Sequence, residues 1–249
     1  MNGANSCPTG LKSWVKRQII DAMTKKILTF NQGVTLLGGG PAAPGLIRAA
    51  LALAPNLIAA DGGADHLAGT GLTPAAVIGD LDSLGDVEAW AGRLGDALVQ
   101  VDEQESTDFE KCLARVDAPF FVGVGFLGGR QDHGLAALHS LIGDPRPVVL
   151  LGEDDVAFAA SGETHLMLPV GERISLFPLR RVRARGGAGL KYPVDGLVME
   201  AGDQIGTSNE AAAAAQSFAF DRPGAVVFLG PHRLREGLQA RGALSQPPI

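Results

Sequence analysis

The chain has 249 residues, which is long enough for one large domain or two smaller ones with a substantial buried core. Hydrophobic residues make up 46% and charged residues 19%, the proportions of an ordinary globular protein. A net charge of −6 argues against a sequence-independent grip on DNA or RNA, so no nucleic-acid partner is expected.

Residues 1–25 are predicted to form an N-terminal extension that fits poorly with the pattern of the rest of the chain. They show no secretory leader, and no apolar stretch approaches the length of a membrane span, so no membrane partner is expected. The two cysteines, Cys7 and Cys112, are too few for a disulfide framework and lack the neighbours of a zinc site. We therefore expect a reduced, cytoplasmic location.

Residues 26–155 alternate short apolar runs with helical stretches, a pattern that predicts a parallel sheet covered by helices. The strands are predicted at residues 34–37, 57–60, 75–78, 97–101, 120–126 and 148–151. Pro44 suits the first turn of a helix. Thr107 and Glu110 form a T-x-x-E capping box for another helix. This part of the chain is predicted to be a Rossmann-like α/β domain.

Residues 156–249 consist of shorter, alternating runs separated by turn signals, which predicts an antiparallel β-sandwich domain. The strands are predicted at residues 156–159, 164–168, 174–179, 182–185 and 226–229. The alanines at 211–215 are also compatible with a helix at these residues. Arg181, Arg183 and Arg185 alternate along one run, and a solvated strand face explains them better than an anion site.

Two carboxylates, Asp80 and Asp82, stand where the predicted strand at 75–78 ends, and on an extended chain they point to the same side. Polar clusters at 106–111 and 128–133 also follow predicted strands. The carboxyl ends of parallel strands form the ligand-binding edge of an open α/β sheet. Carboxylates that hold magnesium, with a lysine and an arginine beside them, suit chemistry on a polyphosphate.

Each of these residues also has an ordinary interpretation. Asp82 alone fits a solvated turn, Asp108 a first-turn acid that complements the helix dipole, and Asp132 an N-cap. Lys111 and Arg130 alone fit exposed surface positions. Because all five fall at one edge of one predicted sheet, their joint arrangement favours a functional site.

Two other nucleotide-binding patterns are weaker. Gly38-x-Gly40-x-x-Ala43, followed by Asp61 at the end of the next predicted strand, nearly matches the dinucleotide fingerprint. The acid-rich sheet edge argues against a nicotinamide enzyme, because carboxylates without a metal repel a pyrophosphate. The chain has no Gly-Lys-Ser/Thr sequence, which excludes a P-loop kinase.

Several short motifs, in this order along the chain, resemble those of the thiamine pyrophosphokinase family. They are Ala60-Asp61-Gly62-Gly63-Ala64, Ile78-Gly79-Asp80-Leu81-Asp82-Ser83, Thr107-Asp108-Phe109-Glu110-Lys111, Gly128-Gly129-Arg130-Gln131-Asp132-His133, Gly189-Leu190-Lys191-Tyr192-Pro193 and Thr207-Ser208-Asn209-Glu210. The match spans roughly residues 34–230, and the ordered set is far more specific than any one string.

The resemblance implies an α/β domain joined to a β-sandwich, in a homodimer whose sites lie between subunits. It also implies an enzyme that transfers the pyrophosphoryl group of ATP to the hydroxyl of thiamine, giving thiamine diphosphate and AMP, with Mg²⁺ as cofactor. The implied catalytic residues are Asp80, Asp82, Asp108, Lys111, Arg130 and Asp132, with Asp80, Asp82 and Asp108 holding the metal. The implied ATP-binding residues are Asp61, Gly62, Gly63, Ser83, Gln104, Thr107, Gly128, Gly129, Arg130 and His133. Lys111 and Arg130 would contact phosphates, and Ser208 and Asn209 would bind thiamine.

The sequence departs from the family pattern in the acceptor half. Some members stack thiamine on a late tryptophan, whereas both tryptophans here, Trp14 and Trp90, lie far upstream, and Phe218 or Phe220 would have to substitute. The alternatives are a related pyrophosphokinase acting on a pterin-type hydroxymethyl heterocycle, a nicotinamide-dependent oxidoreductase and a non-catalytic nucleotide sensor.

Overall fold

The computed structural model describes residues 28–160 and 162–246, so the N-terminal extension predicted at 1–25 lies outside the described residues. Within these residues the strands, numbered in chain order, are β1 (Leu28–Thr29), β2 (Val34–Leu37), β3 (Asn56–Ala60), β4 (Ala76–Gly79), β5 (Leu98–Gln100), β6 (Val116–Asp117), β7 (Phe121–Val124), β8 (Val148–Leu151), β9 (Val156–Ala159), β10 (Glu163–Leu166), β11 (Arg173–Pro178), β12 (Val182–Ala188), β13 (Val198–Met199), β14 (Gly206–Glu210), β15 (Gln216–Phe220) and β16 (Ala225–Leu229).

The α-helices of the described residues are α1 (Pro44–Leu51), α2 (Val87–Leu94), α3 (Asp108–Arg115), α4 (Gln131–Gly143) and α5 (Leu234–Ala240). Short 3-10 helices lie at Asp61–Leu67, Gly95–Ala97 and Pro231–Arg233. Pro44 begins α1, as predicted, because its missing N–H has no helical partner at that position. Thr107 and Glu110 form the predicted capping box of α3.

A parallel sheet forms the first half of the fold, as predicted. Its strands follow the order β8-β7-β2-β3-β4-β5, and every neighbouring pair runs parallel. Strands β2, β4, β7 and β8 are buried along their whole length, because helices cover both faces. Their carboxyl ends therefore meet at one edge of the sheet.

The same sheet continues past residue 155. A tight turn, in which Gly152 N–H donates to Asp155 O, sends β9 back antiparallel to β8. Strands β16, β11 and β14 then add on in antiparallel order, giving a ten-stranded sheet. A second sheet, β10-β15-β12-β13, packs against this extension. The predicted α/β architecture with a C-terminal antiparallel part is confirmed.

The sequence prediction is incomplete in the C-terminal half. Strand β14 was not predicted because its sequence, Gly-Thr-Ser-Asn-Glu, is polar throughout. The alanines at 211–215 form no helix; Ala211 instead makes an isolated bridge with Leu190. Arg183 and Arg185 are exposed at alternate positions of β12, which confirms the solvated strand face.

Candidate active site: an acidic cleft at the carboxyl ends of the parallel strands

A cleft of about 990 Å³ opens at the carboxyl edge of the parallel sheet. It is lined by segments that follow β2, β3, β4, β5 and β7, and the segments after β4, β5 and β7 carry the predicted polar clusters. The lining includes the predicted residues Asp61, Gly62, Asp80, Ser83, Gln104, Thr107, Asp108, Lys111, Gly128, Gly129, Arg130 and His133. The structure thus brings together residues from separate motifs along the chain.

Three carboxylates converge at the base of this cleft. Asp61, Asp80 and Asp108 each offer an oxygen, and these atoms lie within 4.8 Å of one another. Asp61 is only 2% exposed. Its Oδ2 accepts a hydrogen bond from Ser83 N–H at 3.2 Å. Its Oδ1 and the Oδ1 of Asp80 are buried and have no hydrogen-bond partner among the described residues. Such orphaned carboxylate oxygens fit a hard divalent cation.

Lys111 lies directly beside this cluster. Its Nζ donates to Asp80 Oδ2 at 3.0 Å and to Asp108 Oδ1 at 3.1 Å, and its side chain is 3% exposed. The hydrogen bond from Lys111 lowers the pKa of the Asp80 carboxyl. Burial alone would lower the pKa of Lys111, but its bonds to Asp80 and Asp108 raise it, so the lysine stays charged.

Asp61 is under electrostatic strain. Burial raises the pKa of its carboxyl from 3.8 to about 6, and the charges of Asp108 and Asp80 act in the same direction against the hydrogen bond from Ser83. The backbone of Asp61 is also in the left-handed region, with φ of 45°. Strain of this kind is typical of functional sites.

Glycines allow the acidic residues to meet. A Cβ on Gly79 would lie 2.6 Å from the Cβ of Asp61, so only glycine lets Asp61 lie over the end of β4. A Cβ on Gly63 would lie 2.0 Å from Leu37 O. Gly63, one of the predicted ATP-binding residues, is therefore buried beneath the cleft rather than in its lining. These contacts explain the glycines of both motifs.

The loop between β5 and α3 is held by one carboxylate. Glu103 accepts hydrogen bonds from the backbone N–H groups of Glu105 and Ser106, each at 3.0 Å, and from the Ser106 hydroxyl. Gln104, the next residue, donates from Nε2 to Asp80 Oδ2 at 3.1 Å. The loop thereby joins the acidic cluster, which supports the choice of Gln104 as a site residue.

The opposite wall is formed by the turn after β7 and the start of α4. Arg130 precedes α4, and its Nε and Nη2 donate to Asp132 at 3.2 and 2.6 Å. Both side chains are exposed. Asp132 is the second residue of the helix, so it is not the N-cap. Gly128 and Gly129 have positive φ angles, which shape the turn against Pro41.

Asp82 lies outside the acidic cluster. Leu81 has a left-handed φ of 67°, so the chain is not extended here and the predicted same-side arrangement of Asp80 and Asp82 is wrong. Asp82 is exposed and accepts a hydrogen bond from the Ser83 hydroxyl at 3.0 Å. Its predicted role in metal binding stays a prediction.

Sequence reasoning missed the loop after β2 as part of the site. Gly38, Gly40 and Pro41 line the cleft, and His66 contacts Gly40 O at 2.9 Å. A Cβ on Gly38 or Gly40 would lie 2.7 Å from Gly125 O. These two glycines of the dinucleotide-like pattern therefore allow close packing of the β2 and β7 turns. Their position directly after a predicted strand was the sequence signal that could have identified this loop as part of the site.

Ser208 and Asn209 lie on β14, away from the described cleft lining. The Oδ1 of Asn209 accepts from Tyr192 N–H at 3.0 Å, and its Nδ2 donates to Tyr192 O at 2.8 Å, so Asn209 fixes this exposed tyrosine. Phe218 and Phe220 are buried against each other with ring centroids 6.2 Å apart. The expectation that one of them stacks on a ligand is therefore wrong.

Comparison with known proteins identifies two family domains in succession. Residues 47–148 match the sequence model "Thiamin pyrophosphokinase, catalytic domain", and residues 165–224 match "Thiamin pyrophosphokinase, vitamin B1 binding domain". Together they cover more than half of the chain. The chain belongs to the thiamin pyrophosphokinase family.

Several solved structures share this fold. Thiamin pyrophosphokinase from Geobacillus thermodenitrificans has a TM-score of 0.66 and 23% identity, covering 79% of this chain and 96% of that one. The corresponding protein from Candida albicans has a TM-score of 0.68 and 17% identity, covering 84% and 93%. The yeast protein has a TM-score of 0.65 and 16% identity, covering 85% and 94%.

Members of the thiamin pyrophosphokinase family are diphosphotransferases that use ATP and thiamine, and this chain is an enzyme of that class. The pterin pyrophosphokinase, nicotinamide oxidoreductase and sensor alternatives are not favoured. Among the described residues, none of the helices has the length and apolar composition of a membrane-spanning segment.

Proposed function

We propose that the acidic cleft binds ATP with Mg²⁺ and directs the hydroxyl of thiamine to the β-phosphorus, so that AMP leaves. The observation that carries this proposal is the convergence of Asp61, Asp80 and Asp108 in a cleft that Arg130 also lines. Magnesium bound at the carboxylates would neutralise charge on the phosphoryl oxygens.

The chain's own residues would hold the metal and the polyphosphate in position and supply the charges that bind them. Asp80 and Asp108, with Asp61, would hold the metal, and Asp82 would reach it through water. Arg130 would contact the polyphosphate, aided by His133 and the turn at 128–129. Alignment and charge neutralisation account for most catalysis of this kind, because little covalent help is needed.

We propose that Ser208 and Asn209 bind thiamine, with the exposed ring of Tyr192 beside them. Along the sheet, β14 lies five strands from β7, or roughly 24 Å at the usual strand spacing. Because this separation is longer than a thiamine molecule, we propose a homodimer in which the cleft of one subunit faces β14 of the other.

We propose that residues 26–155 and 156–249 act as the ATP/metal and thiamine-binding domains, with a hairpin at their boundary. We also propose a cytoplasmic location, because Cys112 is a free thiol, as is usual in reducing compartments.

The deciding experiment separates nucleotides after incubation of the purified protein with ATP, thiamine and Mg²⁺. AMP and thiamine diphosphate should appear in equal amounts, and chelation of the metal should stop both. AMP formation with a pterin alcohol but not with thiamine would show that the acceptor is a pterin and not thiamine. Absence of nucleotide turnover with either acceptor would overturn the catalytic assignment.

A further inference from the structure

Lys111 is a buried lysine that faces an acidic cluster rather than open solvent. It belongs to α3 and lies one turn after Asp108, with which it forms an i,i+3 pair. Burying an ammonium group is costly unless the charge is closely paired. Here the pairing is complete, because Nζ contacts both Asp80 and Asp108.

The hydrogen bonds divide the carboxylate oxygens into two sets. Lys111 donates to Asp108 Oδ1 and to Asp80 Oδ2, which also accepts a hydrogen bond from Gln104. Ser83 N–H occupies Asp61 Oδ2. The buried Oδ1 atoms of Asp61 and Asp80 have no partner among the described residues. The side chain of Asp61 is almost fully buried, so its orphaned oxygen is a specific indication that the cluster takes a ligand.

The charges of the cluster point to the stoichiometry of that ligand. Asp61, Asp80 and Asp108, the carboxylates that meet in the cluster, together with the ammonium group of Lys111 leave two negative charges, which one divalent cation balances; Asp82 is exposed and lies outside the cluster. A second divalent cation would compete for the oxygens that Lys111 already holds and would be repelled by its charge.

We propose that Lys111 is a fixed internal cation of the site: it holds Asp80 and Asp108 in place before metal binds and restricts the carboxylates of this chain to one divalent cation. Lys111 is then a positioning residue, whereas the sequence prediction placed it on the phosphates. The inference rests on the divalent-cation part of the proposed function and is independent of the acceptor.

The test is a titration of the nucleotide-free protein with Mn²⁺, with free Mn²⁺ measured by electron paramagnetic resonance. The wild-type chain should bind one ion. Lys111→Met should bind the first ion at least roughly tenfold more tightly and accept a second, because a nearby positive charge is removed, Asp108 Oδ1 is released and Asp80 Oδ2 keeps only its hydrogen bond from Gln104. Arg93→Met, which removes an exposed charge on α2 outside the cleft, should bind as wild type does.

Two further measurements can contradict this role of Lys111. Lys111→Gln retains a donor but loses the charge, so it should also tighten Mn²⁺ binding if Lys111→Met fails to fold. Unfolding in a chelator should show both variants less stable than wild type, with a larger stabilisation by Mn²⁺.

Unchanged Mn²⁺ binding by the Lys111 variants, together with a raised KM for ATP, would make Lys111 a phosphate ligand and overturn the inference. Absence of Mn²⁺ binding by both the wild type and the variants would also overturn it. Failure of the proposed function itself would instead appear as absence of AMP formation by the wild-type protein.

Discussion

Asp61 combines burial, a left-handed backbone and an orphaned oxygen in one residue. The sequence identified it as part of a nucleotide pocket but did not place it with Asp80 and Asp108. That placement depends on the close approach of Asp61 to Gly79, a contact between distant motifs. Asp80, Asp108 and Lys111 were predictable because their motifs follow strands, whereas the left-handed turn at Leu81 was not, since leucine rarely adopts it.

Replacing Asp61 with asparagine should stabilise the metal-free protein at alkaline pH. The folded-state pKa of about 6 exceeds the value of 3.8 for an unperturbed group, so folding disfavours the ionised carboxyl. This cost is absent below pH 3.8, grows as the pH rises and is complete above about pH 6. Denaturant unfolding in a chelator should show Asp61→Asn more stable than wild type by up to about 3 kcal/mol at pH 8.

The gain from Asp61→Asn should shrink as the pH falls towards 4, and its persistence there would contradict the electrostatic explanation. The amide oxygen of the introduced asparagine can still accept the hydrogen bond from Ser83 N–H. Asp96→Asn, a change in an exposed 3-10 helix, serves as the control and should alter the free energy of unfolding by less than about 0.5 kcal/mol.

Arg130→Lys should lower kcat on the order of a hundredfold, because a single ammonium group cannot reproduce the two-point contact of a guanidinium with a phosphate. Steady-state kinetics with saturating ATP and Mg²⁺ measure the effect. Arg48→Lys on α1, outside the cleft lining, should leave kcat unchanged. A rise in KM for ATP with normal kcat would limit Arg130 to ground-state binding.

The turns that end β3 and β4 set the geometry of the site at the scale of the element. Gly79 ends β4 and lies against the side chain of Asp61, which follows β3. The sequence predicted both strand ends to within a residue or two. It did not reveal which glycines allow close packing and which bind phosphate, because both uses require the same missing side chain.

Gly79→Ala should abolish turnover and weaken Mn²⁺ binding, because its Cβ would lie 2.6 Å from the Cβ of Asp61. Mn²⁺ titration and AMP formation measure the two effects. Gly92→Ala is the matched control: Gly92 lies in α2 with open space around it, so alanine should preserve activity and raise helix stability slightly. Normal Mn²⁺ binding by Gly79→Ala would show that Asp61 does not need its present position.

At the scale of the whole molecule, the sequence predicted the parallel half more accurately than the antiparallel half. Buried parallel strands are continuous apolar runs that stand out in the sequence. Strand β14 is polar, and its place at the edge of the ten-stranded sheet depends on pairing with β11, a long-range choice without a local signal. The continuity of the sheet across residue 155 also depends on long-range strand pairing, for which the sequence has no local signal.

Two inactive variants should restore activity to each other if the site is shared between subunits. Asp80→Asn removes function from the cleft, and Asn209→Ala removes it from the proposed thiamine half. After mixing and subunit exchange, about a quarter of wild-type activity should return, because half of the dimers are mixed and each holds one intact site. Activity in the mixture of the two variants, but in neither variant alone, would support the shared site. A lack of activity in a verified mixed dimer would contradict it.

The order of strands in the large sheet has a consequence for synthesis of the chain. Strand β16 lies between β9 and β11, although it follows β11 by almost fifty residues. A nascent chain that grows from its N-terminus can complete the parallel half early, but β11 and β14 have no place in the sheet until β16 has emerged. A ribosome stalled before residue 225 would therefore present an open edge at β9, the point at which a chaperone would be expected to bind.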